Sequence, residues 1–243
     1  MRRGFQEPVE KPRRFYKTVS VTEAESGFAV LLDQRQVRAP GGRQLVLPTR
    51  ALADMVAQEW ADQGETLEVA EMHATRLANT AIESVPKARE ATARSVADYA
   101  GSGLLCYFAE EPQALVERQN AHWGPMIDRA EREIALVFAR AAGIVHRSQP
   151  EETLEKIKAL ALELDDFRLT GLAYGSALFG SAILALALQR GWIDGRQALE
   201  LSRLDEAYQE EKWGIDAEAA ERTARLLVEA QMLERWFKAL DRR

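Results

Sequence analysis

Four carboxylates crowd one short stretch near the C-terminal end of the chain: Asp205, Glu206, Glu210 and Glu211, within residues 201–214, LSRLDEAYQEEKWG. Paired carboxylates can act as general acid and general base when their surroundings push their proton affinities apart. That chemistry needs a partner: a second base, a metal ligand or a pocket motif. None stands out elsewhere in the sequence. A carboxylate-dependent small-molecule enzyme using Glu206 and Glu211 is therefore one reading. A solvated helix face with surface pairs to Arg203 and Lys212 is a second, and a face that binds another protein is a third.

The remaining reactive residues add little. Cys106 is the single cysteine, inside the apolar stretch 104–108. One thiol makes neither a disulfide nor a zinc cage, and no histidine or basic group lies near it in sequence, so it reads as a buried small hydrophobe in an intracellular chain. His73, His122 and His146 stand at no metal-ligand spacing, and there is no HExxH. Gly175-Ser176 and Gly180-Ser181 lack the strand–turn–helix setting of a nucleophile elbow. Gly101-Ser102-Gly103 is a turn without the GK[ST] of a phosphate loop, and Pro40-Gly41-Gly42-Arg43 reads as a hairpin loop. No cofactor, metal or nucleotide is expected.

Placed on one helix at about 100° per residue, 201–215 divides into two faces. Leu201, Leu204, Tyr208 and Ile215 form a core stripe flanked by Glu211 and Lys212. Ser202, Glu206, Gln209, Glu210 and Trp213 lie opposite. A tryptophan on a polar face is expected to bury against another helix or against the N-terminal part of the chain. Gly214 closes the stretch.

The elements that must hold this helix follow from the pattern. The 243 residues are 47% hydrophobic and 29% charged, enough to build a sizeable core. The net charge of −6 lacks the positive footprint of a nucleic-acid binder. Residues 1–12 read as a disordered arm without the apolar segment of a secretory signal. Residues 13–71 read as β-rich with one helix. Strands are expected over 15–21, 27–32, 37–39 and 44–47, with a further one over 66–69, and Thr49 caps a helix that carries Leu52, Val56 and Trp60 on its apolar face. Trp60 is expected to pack in the core between the two parts. From 72 to 243 the chain reads as helical, with Pro125 interrupting one helix. The fold class is α+β: a small β-rich domain followed by a larger α-helical bundle. The nearly uncharged run 171–188 approaches the length of a membrane span. Its small residues and the lack of a second span or flanking basic cluster favour a central helix buried on all sides.

Six segments, in this order and spacing, carry a family resemblance: RRFYKTVSV, GFAVLLDQRQVRAP, LPTRALADMVAQEWADQ, HATRLANTAIE, QNAHWGP and LDEAYQEEKWG. Together they resemble the F1-ATPase assembly chaperones that act on the α subunit of ATP synthase, found in mitochondria and some bacteria. The resemblance spans about 13–240. Its most specific parts are the Glu59-Trp60 pair and the E-x-x-Q-x-x-x-W-G pattern of Glu206, Gln209, Trp213 and Gly214. His73 departs from it, since the family more often has a proline after the methionine.

The resemblance implies a β-rich domain followed by a helical one, and a non-enzymatic role. Such a chaperone binds the unassembled α subunit, masks the surface that will meet the β subunit, and is displaced on assembly. By position, the acidic residues implicated in the family's closing motif fall on Glu206 and Glu211. Gln209, Glu210 and Trp213 complete the expected client-binding set, and Trp60 and Gly214 are expected to be structural. The resemblance fits a bacterial cytoplasmic member, with no nucleic-acid partner and no membrane insertion.

Overall fold

A computed structural model describes residues 11–143 and 147–242. Strands β1 (Val19–Ala24) and β2 (Gly27–Leu32) form an antiparallel hairpin, with Ala24 opposite Gly27 and Val19 opposite Leu32. Short strands β3 (Arg35–Gln36) and β4 (Val46–Leu47) also pair antiparallel with β2. Two residues lock this sheet. The Asp33 carboxylate accepts hydrogen bonds from the Lys17 and Thr18 backbone N–H groups, at 3.0 and 2.9 Å, which fixes the start of β1 against the β2–β3 turn. Those donors hold the Asp33 carboxyl below the usual carboxylate range. At Gly27, with φ of 150°, a β-carbon would stand 2.3 Å from the Leu47 carbonyl oxygen, so β4 closes over β2 only because no side chain is there.

Helix α1 (Arg50–Ala61) joins this sheet to the rest. The Thr49 hydroxyl caps it, accepting from the Leu52 N–H, and donates to the carbonyl of Ala239 near the far end of the chain, at 2.8 Å. Glu59 caps the next helix, α2 (His73–Glu83), in trans. Its carboxylate accepts from the Ala74 and Thr75 N–H groups and the Thr75 hydroxyl, each at 2.7 Å. A helix start without its own capping side chain is thereby satisfied from a neighbour. Trp60 is half-buried, its ring edge-on to Tyr16, whose hydroxyl donates to the Trp60 carbonyl at 2.6 Å. Its contact is thus on the sheet side of α1. Thr66, expected in a strand, makes one antiparallel bridge to Arg13 before the chain turns.

The remaining helices are α3 (Arg89–Gly101), α4 (Gln113–Ile134), α5 (Glu151–Glu163), α6 (Asp166–Phe179), α7 (Ala182–Gln189), α8 (Gly195–Ser202), α9 (Leu204–Trp213) and α10 (Ala217–Asp241). A short parallel pair, β5 (Tyr107–Phe108) with β6 (Ala141–Ala142), is an exception to an all-helical C-terminal part. Helix α4 runs unbroken through Pro125, which was expected to interrupt it; a proline forgoes one backbone bond there without ending the helix. Buried side chains from both sides of residue 71 form one continuous core.

The apolar run 171–188 is two helices. Gly180 takes the left-handed conformation (φ 60°) that ends α6, and the Ser181 hydroxyl caps α7 by accepting from the Leu184 N–H. Among the described residues no helix is long and apolar enough to cross a membrane. The C-terminal half of α10 packs on α6 through small residues. A β-carbon on Gly171 would stand 2.9 Å from the Phe237 ring, and one on Gly175 2.9 Å from Leu233. Trp236 is fully buried, stacks on Phe167 and donates to its carbonyl.

Candidate functional site

The acidic stretch folds as α9 with breaks on both sides. Asp194 opens α8 with a capping box to Gln197, and Arg203 leaves helical geometry (φ −114°, ψ 21°) before α9 begins. At the other end Gly214 (φ 85°, ψ 164°) takes a backbone conformation that suits glycine, and Asp216 caps α10. A single helical projection across 201–215 is therefore corrected in part. Leu204 is buried and Leu201 and Tyr208 are half-buried, as the stripe requires, whereas Ile215 lies past the glycine turn and is 53% exposed.

Trp213 is the larger correction. It was expected to bury, and it is 88% exposed. Helix α9 lies against α4 and α8, and nothing among the described residues covers its outer face. The tryptophan projects from that face next to the Gly214 turn.

Three of the four carboxylates are used internally. Asp205 accepts from Gln119 Nε2 of α4 at 2.7 Å, and Gln119 Oε1 accepts from the Ala109 N–H. With Gln119 only 1% exposed, this is a satisfied buried amide. Glu210, on the face expected to be free, pairs with Arg203 at 2.8 Å. Glu211 takes a two-pronged bond from Arg118 of α4, Nη1 to Oε1 and Nη2 to Oε2, both at 2.7 Å. The Arg118 hydrogen bonds hold the Glu211 carboxyl below its usual range. The same guanidinium lies over the Tyr208 ring, 5.3 Å from its centroid.

Glu206 differs. It is exposed and has no hydrogen bond or ion pair among the described residues. Gln209 and Trp213 share its face at helical spacing, also exposed and also unpartnered among the described residues.

The residues that receive α9 were not singled out from sequence. Arg118, Gln119 and Trp123 all lie on α4, and the fully buried Trp123 donates Nε1–H to the Leu201 carbonyl at 2.9 Å, just before the helix break. The signal for two of them lay in QNAHWGP, where Gln119 and Trp123 stand four apart on one face.

The cavities near α9 do not enclose its free carboxylate. One of about 530 Å³ lies between α4 and α8–α9, lined by Arg118, His122, Met126, Ile193 and Leu204. Another of about 540 Å³ lies beside Tyr107, Phe108, Gln119 and Asp205. Neither has Glu206 or Glu211 on its wall, so an acid–base pair made of these two has no substrate chamber in either. Among the described residues no cluster of histidine, cysteine and carboxylate groups is arranged to hold a metal. His146 lies outside them. Cys106 is 1% exposed, and burial, opposed by Arg140 and aided by Glu131, pushes its thiol up to about 11.

Known proteins share both sequence and shape with this chain. A family model described as ATP12 chaperone protein matches residues 13–131. The mitochondrial protein atp12 of Schizosaccharomyces pombe is 23% identical over 229 residues, covering 88% of this chain and 78% of its own length. The crystal structure of Atp12 from Paracoccus denitrificans is 41% identical, with a TM-score of 0.87 over 94% of this chain and 98% of that one. A variant of the same Paracoccus protein with lysine in place of an aspartate matches equally well, at 41% identity and a TM-score of 0.87. A candidate chaperone from Agrobacterium tumefaciens is 38% identical, with a TM-score of 0.89 over 95% of this chain and 87% of that one. With full-length matches at this identity, the chain belongs to the ATP12 chaperone family.

Proposed function

We propose that this protein is a non-enzymatic assembly chaperone that binds the unassembled α subunit of ATP synthase, covers the surface destined for the β subunit, and leaves when the β subunit arrives. Family membership supports the chaperone role. The choice of the α subunit rests on the family resemblance in the sequence. The contact is assigned to the outer face of α9, with Glu206, Gln209 and Trp213 as its members, and the setting to the bacterial cytoplasm.

One observation carries the assignment: of the four carboxylates, Glu206 alone is exposed and without a partner among the described residues, and it shares its face with a tryptophan that is 88% exposed. A large indole held in water beside a free carboxylate is the composition of a protein contact, with an apolar anchor and a charge that selects orientation. An unassembled subunit exposes an apolar interface that aggregates if left uncovered. The chaperone must bind it and still release it. A small anchor with a charge-steered rim suits that better than a large dry interface. Glu206 would meet basic groups on the client.

The test is capture of the α subunit by tagged protein from a cell lysate, followed by addition of β subunit. Wild type is expected to retain α and to lose it to β. Glu206→Lys is expected to lose α without a change in melting temperature. Undiminished capture by Glu206→Lys would sink the assignment of this face.

A further inference from the structure

We infer that Arg118 is a positioning residue for the client-binding face of α9, and that Glu211 serves that face through Arg118 without touching the client. The inference rests on the reading of α9 proposed above and assigns the two residues within it.

Apolar packing holds α9 on one side only: Leu204 is its one buried residue, Tyr208 packs half-buried against the core, and both ends leave helical geometry, at Arg203 and at Gly214. Polar ties from α4 sharpen that orientation. Near its start, Asp205 is held by Gln119 at 2.7 Å. Near its end, Glu211 is held by the fork of Arg118 at 2.7 Å on both prongs, with the guanidinium also against Tyr208. Asp205, Tyr208 and Glu211 occupy one arc of the helix, and Glu206, Gln209 and Trp213 occupy a separate arc centred roughly 130° round from it. Turning the first arc onto α4 therefore turns the second outward. Two parallel hydrogen bonds between planar groups set an angle as well as a distance, which a lysine could not do.

The electrostatic surroundings agree. Lys212 and Tyr208 are the neighbouring charged and aromatic groups at this contact, and Lys212 also lies over the tyrosine ring, 5.6 Å from its centroid. Glu211, already satisfied twice by Arg118, has no need of a client cation. Glu206 does.

The experiment is a reversed pair, measured as affinity for the isolated α subunit with melting temperature and circular dichroism recorded alongside. An exposed ion pair biases geometry by only about fivefold in population, so Arg118→Gln is expected to weaken binding by about fivefold. Arg118→Glu sets a like charge beside Glu211 and is expected to weaken it by roughly tenfold. Combining Arg118→Glu with Glu211→Arg rebuilds the fork in reverse and is expected to bring affinity back to within about twofold of wild type, an outcome a direct Glu211 contact would not give, while an unchanged melting temperature in the single variants separates positioning from a structural lesion. Failure of that combination to recover would overturn the positioning role and make Glu211 a direct contact. If both Arg118 variants bind as wild type while Glu206→Lys loses the client, the inference falls and the proposed function stands. If Glu206→Lys binds as wild type, the reading of α9 falls and this inference with it.

Discussion

Helices α6–α7 and helix α9 are held by opposite means. Helix α7 is apolar and enclosed, and α6 buries seven of its fourteen residues. Every residue of 182–188 is buried, and Gly171 and Gly175 let Phe237, Trp236 and Leu233 approach to contact distance. Helix α9 buries Leu204 alone and is tied down by side-chain hydrogen bonds to α4. The two tryptophans of the closing segments mark the contrast, Trp236 at 0% exposure and Trp213 at 88%. Dispersion and hydrophobic burial hold α6–α7 in a single packing and supply stability. Polar ties, exposed at Glu211 and partly buried at Asp205, supply orientation with less stability, as the proposed role of this face in engaging and releasing a partner requires.

Substitutions that weaken each mode should separate them. The largest effect is expected from Trp236→Ala, which empties a fully buried site on α6 and should cost about 3–5 kcal/mol in denaturant unfolding. Next is Gly171→Ala. Its methyl would meet the Phe237 ring at 2.9 Å, a cost of about 1–3 kcal/mol, offset in part by the roughly 1 kcal/mol that alanine gains over glycine within a helix. The net is a loss of about 0–2 kcal/mol, read from the same unfolding curve. Stabilisation by this change would mean that α6 and α10 are not packed as closely as described. Trp213→Ala should change stability by less than about 0.5 kcal/mol while lowering capture of the client, and a large drop in melting temperature would remove the contrast altogether.

The smallest effect concerns acid. Arg118 lowers the Glu211 proton affinity in the folded state, so this tie contributes fully above the ordinary glutamate value of 4.5 and is lost as pH falls through the depressed value. Asp33, held low by the Thr18 and Lys17 N–H groups, has the same sign in the sheet. Amide protection in α9, corrected for intrinsic exchange, should therefore fall on acidification below that range while protection in α6–α7 persists. Simultaneous loss in both would show that α9 belongs to the cooperative core.

Glu59 shows how a recognisable motif can hide its physical role. The Glu59-Trp60 pair stood out in sequence, yet only the fold brings its carboxylate to the bare N-terminus of α2 and shows that it is a cap. Local rules worked where the partner is local. Thr49, Asp194 and Asp216 begin helices as their side chains predict, and alternation located the β1–β2 hairpin. They failed at Gly180 and Arg203, where one apolar or amphipathic run turned out to be two helices.

The sequence by itself determined the division into a β-rich start and a helical remainder, the caps that start several helices, the family, and the acidic stretch as a candidate. It could not decide which carboxylate of that stretch is free. That was decided by Arg118, 93 positions away from Glu211, and by Gln119, 86 positions away from Asp205. Helical periodicity reports which side chains share a face. It carries no information about which donors the fold will bring to that face, because those come from another helix and are placed only when the core closes. Glu206 and Trp213 are outward because α4 claims the opposite side of α9.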